Sequence, residues 1–241
     1  MIRRNPAMDA PLPSKKNAIL LIVHYFFGYM FLYPQLGIYM TFLISGQQGV
    51  IYTEIAYGIY AWMILGSLLL AKPYLKDSMM ASRGNFFKHV FKAIKLYFPL
   101  YLSLLVITPV IQFITKSETS QNQLVIEEAF GQSPLLIAIT ALIMAPIVEE
   151  IVFRGALYRS LRNRRSYWFA IAISSLSFGF VHVLQSLLTG NYQDLYSIIL
   201  YSAMGFFFVK AYEETGSIFP AIFLHLIVNS VGVLVIYLVA R

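Results

Sequence analysis

Residues 145–155, Ala-Pro-Ile-Val-Glu-Glu-Ile-Val-Phe-Arg-Gly, place two carboxylates and a guanidinium inside a segment that otherwise has the composition of a membrane-spanning helix. An ionisable side chain in the bilayer core is costly unless it is paired or hydrated, and such residues therefore indicate a functional site. Here three of them fall within six positions. The alternative interpretation is a charge cluster at a helix end near the membrane surface.

Helical geometry separates the two glutamates of this stretch. Glu150 and Arg154 are four residues apart, so at about 100° per residue their side chains share one face and can form an ion pair. Glu149 points in another direction. The spacing predicts a structural pair, Glu150 with Arg154, beside a second carboxylate, Glu149, that is free to do chemistry.

The composition is typical of a membrane protein. Of the 241 residues, 59% are hydrophobic and 12% are charged, and the mean hydropathy is +0.69, which leaves too little polar surface for a soluble domain. We expect an all-α, polytopic transmembrane helix bundle with about seven, or eight, spans. It should form a single domain over residues 1–241. The absence of cysteine excludes disulfides, thiolate nucleophiles and cysteine-based metal sites.

Basic residues between the apolar segments predict the orientation. Lys and Arg are concentrated in the N-terminal tail, residues 1–16, after the second segment and after the fourth, where residues 159–165 hold four arginines. Because cytoplasmic loops retain positive charge, we expect this tail and these loops in the cytoplasm. The net charge of +7 therefore indicates membrane topology and contact with lipid headgroups, and no nucleic-acid partner.

Two further motifs place polar side chains at a similar depth. His182 lies in the fifth apolar segment, and His225 and Asn229 share one face of the seventh because they are four residues apart. With a rise of about 1.5 Å per residue, these side chains and Glu149 lie roughly 12 to 22 Å from the basic ends of their helices. We expect them to line one hydrated pocket that opens towards the cytoplasm.

A carboxylate, two imidazoles and an amide around one pocket allow two ways of activating water for hydrolysis. In the first, Glu149 is a general base and His182 holds the water. His225 and Asn229 then donate hydrogen bonds to the oxyanion of a peptide-bond intermediate. In the second, Glu149, His182 and His225 hold a divalent metal, such as zinc, that activates the water. Each histidine taken singly also fits an ordinary packed side chain.

The sequence resembles a known family at these residues, the CAAX-prenyl-protease and bacteriocin-processing (CPBP, or Abi) intramembrane proteases. The family motif Glu-Glu-x-x-x-Arg matches Glu149, Glu150 and Arg154. The motif Phe-x-x-x-His matches Phe178 and His182. The resemblance implies that the first glutamate is the catalytic base and that this histidine positions water, with Glu150, Arg154 and Phe178 in supporting roles.

The third family motif, His-x-x-x-Asn or hydrophobic, matches His225 and Asn229, which the resemblance implies form the oxyanion site. The three motifs occur in family order, and residues 134–235 form the expected catalytic core. The first three spans show no matching motif. The family includes members described as metalloproteases and members that resemble glutamate-dependent enzymes. The amide of Asn229 favours the metal-free mechanism, since amides bind zinc poorly compared with imidazole and carboxylate.

The sequence therefore predicts an intramembrane endopeptidase that cleaves a peptide or the membrane-proximal segment of a protein. Its expected partners are that substrate and the lipid bilayer. The substrate class stays open between a prenylated CAAX tail, a leader peptide and a signalling peptide precursor. A non-enzymatic immunity or scaffold protein, or a proton-coupled transporter, that uses the same polar pocket is the alternative.

Overall fold

The computed structural model describes residues 12 and 14–239, and this part of the chain is helical without any strand. All but one of its eight helices are long and apolar enough to cross a membrane. In chain order the helices are α1 (Lys15–Ser45), α2 (Thr53–Ser82), α3 (Phe86–Thr115), α4 (Gln121–Gln132), α5 (Pro134–Arg162), α6 (Tyr167–Leu188), α7 (Tyr192–Thr215) and α8 (Phe219–Val239). The predicted all-α bundle with seven spans is confirmed. Most of the predicted tail, residues 1–11 and 13, lies outside the described residues.

The short helix α4 lies in a segment that contains no membrane span and separates α3 from α5. Its start is fixed by Ser120, whose hydroxyl accepts a hydrogen bond from the backbone N–H of Gln123 at 3.2 Å, as an N-terminal capping serine does. It ends before Pro134, which opens α5. Half of its twelve residues are Gln, Asn or Glu, and apolar periodicity gave no indication of this helix.

Helix α5, which carries the two glutamates, is not a regular α-helix. It contains two π-helical segments, Thr140–Met144 and Ile151–Tyr158, on either side of the α-helical turn Ala145–Glu150. Such wide turns release backbone groups from the helical ladder and are frequent at functional sites. The two glutamates therefore lie on a single regular turn between two irregular ones.

Helices α6 and α7 approach each other closely at two glycines. A Cβ atom at Gly179 would lie 2.7 Å from the Ile198 carbonyl oxygen, and one at Gly205 would lie 3.0 Å from the Ser175 Cα. Small residues let membrane helices pack backbone against backbone. This contact fixes α6, with His182, against α7.

The basic end of α5 is joined to α7 by a buried polar cluster. Glu213 accepts a hydrogen bond from the Tyr158 hydroxyl at 2.6 Å and pairs with Arg162 Nη2 at 3.2 Å. One of the acids at this otherwise basic end of the bundle is thus neutralised inside the fold. The cluster closes the bundle at the end that carries the loops after α2 and α5.

Candidate active site

Glu150 connects two of the sequence motifs through one oxygen atom. Its side chain is fully buried, and Oε1 accepts a hydrogen bond from Arg154 Nη1 at 3.1 Å. This is the contact that the spacing predicts. The same oxygen lies 2.9 Å from Nδ1 of His225 on α8, a contact that the sequence does not predict.

Arg154 has further partners, because a buried guanidinium needs more than one. Its Nη2 donates to the Gly205 carbonyl oxygen at 3.0 Å, and its guanidinium lies 4.6 Å from the ring centre of Phe178 and 5.1 Å from that of Phe208. Aromatic faces stabilise a desolvated cation. Arg154 thus fastens α5 to α6 and α7 directly below the turn that carries the glutamates.

Glu149 has a different environment from its neighbour. Its side chain is 9% exposed, and Oε1 accepts a hydrogen bond from the Tyr25 hydroxyl of α1 at 3.3 Å. Its other oxygen, Oε2, has no hydrogen-bond partner among the described residues. Glu150 Oε2 also has none there, but only Glu149 lines the central cavity. The carboxylate that can meet a ligand is therefore that of Glu149.

One cavity of about 850 Å³ contains the polar residues of all three motifs on its walls. Glu149 reaches it from α5, His182 from α6, and His225 and Asn229 from α8. The structure thus brings together the four residues to which the sequence assigns catalytic roles. Phe178 also lines the cavity, and its ring centre lies 4.6 Å from that of His182 and 5.7 Å from that of His225.

The ring of His182 is held in one orientation by its own helix and by α7. Nδ1 lies 2.8 Å from the Phe178 carbonyl oxygen, and the ring stacks on Tyr201 with centres 4.4 Å apart and planes 20° apart. A carbonyl oxygen only accepts, so Nδ1 carries the proton and donates. In the neutral ring Nε2 is then an acceptor that can bind a water molecule.

The ring of His225 is stacked on Phe208, with centres 4.6 Å apart and planes 15° apart. Since Nδ1 faces Glu150, its N–H donates a hydrogen bond to the carboxylate, and Nε2 is left for a ligand. Nε2 donates to a ligand only when the ring carries a proton on both nitrogens.

Asn229 is held by an irregularity of α5. Its Nδ2 donates to the Ala141 carbonyl oxygen at 2.8 Å. That oxygen is free because Pro146, five residues further on, has no N–H, and the N–H of Ala145 is already bonded to Thr140. One N–H of the Asn229 amide is therefore used for positioning, and the other can serve a ligand.

A metal at this site would need three side chains at bonding distance from one point. In residues 12 and 14–239 no three histidine, aspartate or glutamate side chains form such a group, and this includes Glu149, His182 and His225. The hydrogen bonds of both histidine Nδ1 atoms would suit metal ligation through Nε2, but the spacing of the three side chains does not.

Among the described residues, the lining of the cavity extends to one end of the bundle. Its rim is formed by the connection from α3 to α4, by Asn191 in the connection from α6 to α7, and by Gln193 in the first turn of α7. With seven crossings these connections lie opposite the start of α1 at Lys15. The sequence predicts that the N-terminus and the opening share the cytoplasmic face. The described lining of the cavity does not extend to the end that carries Lys15, and the orientation of the bundle in the membrane stays a prediction.

Sequence reasoning did not identify three side chains that position the site. Tyr25 on α1 contacts Glu149, Tyr201 on α7 supports His182, and Phe208 on α7 lies between Arg154 and His225. The two α7 aromatics lie in a span without a charged or imidazole group at depth. Tyr25 directly follows His24 in the first span, and nothing in the local sequence pattern distinguishes it from the many other tyrosines.

Comparisons with known proteins agree with the motifs. Residues 131–231 match the family described as type II CAAX prenyl endopeptidase Rce1-like. The chain is also 37% identical over 111 residues to a Bacillus subtilis (strain 168) protein named "Putative membrane peptidase YdiL". That match covers 46% of this chain and 41% of the relative, so the chain spans less than half of the relative's length. No solved structure matches the chain.

The matched region begins just before α5 and ends in α8, so it contains Glu149, His182, His225 and Asn229. Helices α1 to α3, with Tyr25, lie outside it. Seven apolar spans and these matches identify an integral, multi-pass membrane protein. The two matches confirm the resemblance of the motif-bearing half of the chain to the CPBP family of membrane proteases.

Proposed function

We propose that the protein is an intramembrane endopeptidase in which Glu149 activates water for attack on a peptide bond. The observation that carries the proposal is the position of Glu149 on the wall of a cavity that it shares with two imidazoles and an amide. Glu149 is buried, and its Oε2 has no hydrogen-bond partner among the described residues. A buried carboxylate oxygen without a hydrogen-bond partner is costly to keep unless a ligand uses it. The similarity to membrane peptidases supplies the reaction class.

In the first step Glu149 Oε2 takes a proton from a water molecule while the water oxygen bonds to the carbonyl carbon of the substrate. The Tyr25 hydroxyl holds the other oxygen, Oε1, and so fixes the carboxylate plane. Nε2 of His182 accepts a hydrogen bond from the second proton of the same water. The carbonyl double bond opens, and its electron pair moves to the carbonyl oxygen.

The resulting oxyanion needs donors that are already in place. The second N–H of Asn229 provides one from α8, and Nε2–H of His225 provides another from the same face when its ring carries a proton on both nitrogens. Glu150 accepts from Nδ1 of His225, and the Ala141 carbonyl oxygen accepts from the amide of Asn229. In the second step the protonated Glu149 returns its proton to the amine nitrogen as the carbon–nitrogen bond breaks.

The cavity itself supplies water to a reaction inside the bilayer. A water molecule occupies about 30 Å³ in the liquid, so a cavity of about 850 Å³ holds water together with a short stretch of extended peptide. Its walls combine carboxylate, amide and hydroxyl groups with apolar residues of α3 and α8. A peptide with an apolar flank and a hydrated scissile bond fits these walls.

The experiment that tests the proposal compares protein and peptide termini in membranes that contain the wild type or Glu149→Gln. This substitution keeps the size of the side chain and removes the base. Glu128→Gln is the matched control, because Glu128 is exposed on α4 and does not line the cavity. We expect new termini with the wild type and with Glu128→Gln that are missing with Glu149→Gln.

Identical sets of termini in all three membranes would reject the protease function. If Glu149→Gln instead abolished binding or transport of a ligand without any change in termini, the scaffold or transporter alternative would replace it. The purified Glu149→Gln protein must keep the thermal stability of the wild type for either conclusion, and this can be measured directly.

A further inference from the structure

We propose that the cavity receives its peptide from the non-cytoplasmic face of the membrane, at the end of the bundle opposite the basic loops. The peptide nature of the ligand rests on the proposed function. The position of the opening is inferred from the residues that line the cavity, from the packing at the opposite end and from the charges of the loops at the two ends.

All walls of the cavity run in the same direction from the motif residues. On α5 the wall extends from Glu149 back to Ile137, near the start of that helix, and on α8 it extends from His225 forward to Ile236. On α3 it extends from Tyr97 to Thr115, the last residue of the helix. Because α5 runs antiparallel to α3 and α8, these three walls all lead to the end where α3 ends and α5 begins.

The opposite end of the bundle is closed by packed and hydrogen-bonded side chains. Directly beyond the glutamates, Ile151, Val152 and Phe153 are fully buried. Further on, the Ser217 hydroxyl accepts a hydrogen bond from Ser82 at 2.8 Å, next to the buried cluster around Glu213. A close-packed apolar layer of this kind gives water and peptide no passage.

The two ends of the bundle differ in charge as well as in packing. Residues 72–95 hold six Lys or Arg and one Asp, and residues 159–165 hold four Arg, all at the closed end. At the open end, residues 115–133 hold one Lys and three Glu, and residues 189–194 hold one Asp. Since loops rich in Lys and Arg stay in the cytoplasm, the closed end faces the cytoplasm.

A substrate must therefore present its scissile segment from the far side of the membrane. This class comprises translocated peptides and the non-cytoplasmic, membrane-proximal segments of membrane proteins. A segment that stays in the cytoplasm meets the closed end and does not reach Glu149. The rim also fits neutral or basic segments better than acidic ones, because Glu118 and Glu127 line it beside a single base, Lys116.

The chain lends itself to a direct test because it contains no cysteine. Single cysteines are introduced at the rim (Gln193→Cys), on the cavity wall (Ala145→Cys) and at the closed end (Arg164→Cys), and each protein is exposed to a membrane-impermeant maleimide. Gln193 and Arg164 are exposed, and Ala145 lies four residues before Glu149. Labelling is compared between intact spheroplasts and inside-out vesicles.

We expect Gln193→Cys and Ala145→Cys to be labelled in spheroplasts only, and Arg164→Cys in inside-out vesicles only. Labelling of Ala145→Cys from the face of Arg164→Cys overturns the proposal. So does labelling from both faces, or labelling only after denaturation. If Ala145→Cys does not fold, Thr140→Cys on the same wall takes its place.

The labelling pattern does not depend on catalysis, which separates this test from that of the proposed function. Unchanged termini together with the expected labelling reject the protease and leave the opening in place. New termini together with labelling of the wall from the cytoplasmic face keep the protease and reject the entry route.

Discussion

Glu150 on α5 and His225 on α8, 75 residues apart in sequence, are joined by a contact of 2.9 Å between Oε1 and Nδ1. The same oxygen accepts from Arg154 at 3.1 Å, so one atom connects the first and third motifs. Adjacent glutamates thereby take different tasks. Glu150 holds partners inside the protein, and Glu149 faces the cavity.

The first prediction concerns Arg154, which is fully buried. Replacing it by alanine leaves the Glu150 carboxylate with one partner in a low-dielectric interior, which costs about 3 to 5 kcal/mol for a buried pair. Arg154→Ala should therefore lower both the folded yield and the thermal midpoint in detergent. Arg164→Ala, which removes an exposed arginine of the next connection, is the control. Equal midpoints for the wild type and Arg154→Ala would contradict the prediction.

The second prediction concerns the close contact of α6 and α7. In Gly179→Ala the new methyl group would meet the Ile198 carbonyl oxygen at 2.7 Å and the Ser202 backbone nitrogen at 3.0 Å, and backbone atoms cannot turn aside. The helices must separate, so the thermal midpoint should fall. Gly131→Ala is the matched control, because a Cβ there meets nothing within 4 Å. Gly131 is the last but one residue of α4, so this change should leave the thermal midpoint unchanged or raise it slightly. Equal effects of the two substitutions would show that the contact is looser than described.

Local spacing was enough to predict part of the site. The Glu150–Arg154 contact follows from a separation of four residues, which helical geometry converts into a shared face. The common depth of Glu149, His182 and His225 follows from the rise per residue and from where the basic ends lie. Both predictions need only the geometry of each helix taken by itself.

Contacts between helices could not be predicted in the same way, because they depend on how each helix is rotated and where it is irregular. The His225–Glu150 contact needs the relative rotation of α8 and α5, and Asn229 meets Ala141 only because a π-helical turn and Pro146 free a carbonyl oxygen. Pro146 was the one available signal, since a proline in a helix always leaves an earlier carbonyl without its partner. Which end of the cavity is closed depends on the same packing between helices.

The third prediction concerns Tyr25, which lies outside the region that matches the family. Tyr25→Phe keeps the buried ring and removes the hydrogen bond to Glu149. A hydrogen bond to a charged group contributes about 1.5 to 3 kcal/mol, so turnover should fall by at least about tenfold, with little change in thermal midpoint.

The measurement uses a substrate identified from the comparison of termini, and it records kcat and KM separately. Tyr33→Phe is the control, because that hydroxyl contacts His24 at 2.7 Å on the same helix and does not line the cavity. Equal kcat values for Tyr25→Phe and Tyr33→Phe would mean that Tyr25 does not position the base. A lower thermal midpoint for Tyr25→Phe alone would assign it a structural role.

The last prediction concerns metal. Glu149, His182 and His225 share a cavity but do not form a three-ligand group, and the Asn229 amide suits an oxyanion better than zinc. We therefore expect protein purified without added metal to cleave its substrate, and a chelator to leave most of the activity intact. Elemental analysis of the same preparation measures bound zinc, and Glu149→Gln measures the background. Near-stoichiometric zinc, with activity lost on chelation and restored by zinc, would show that these residues close around a metal when substrate or water is bound. Water would then be activated by that metal, while Glu149 and both histidines would keep their place at the site.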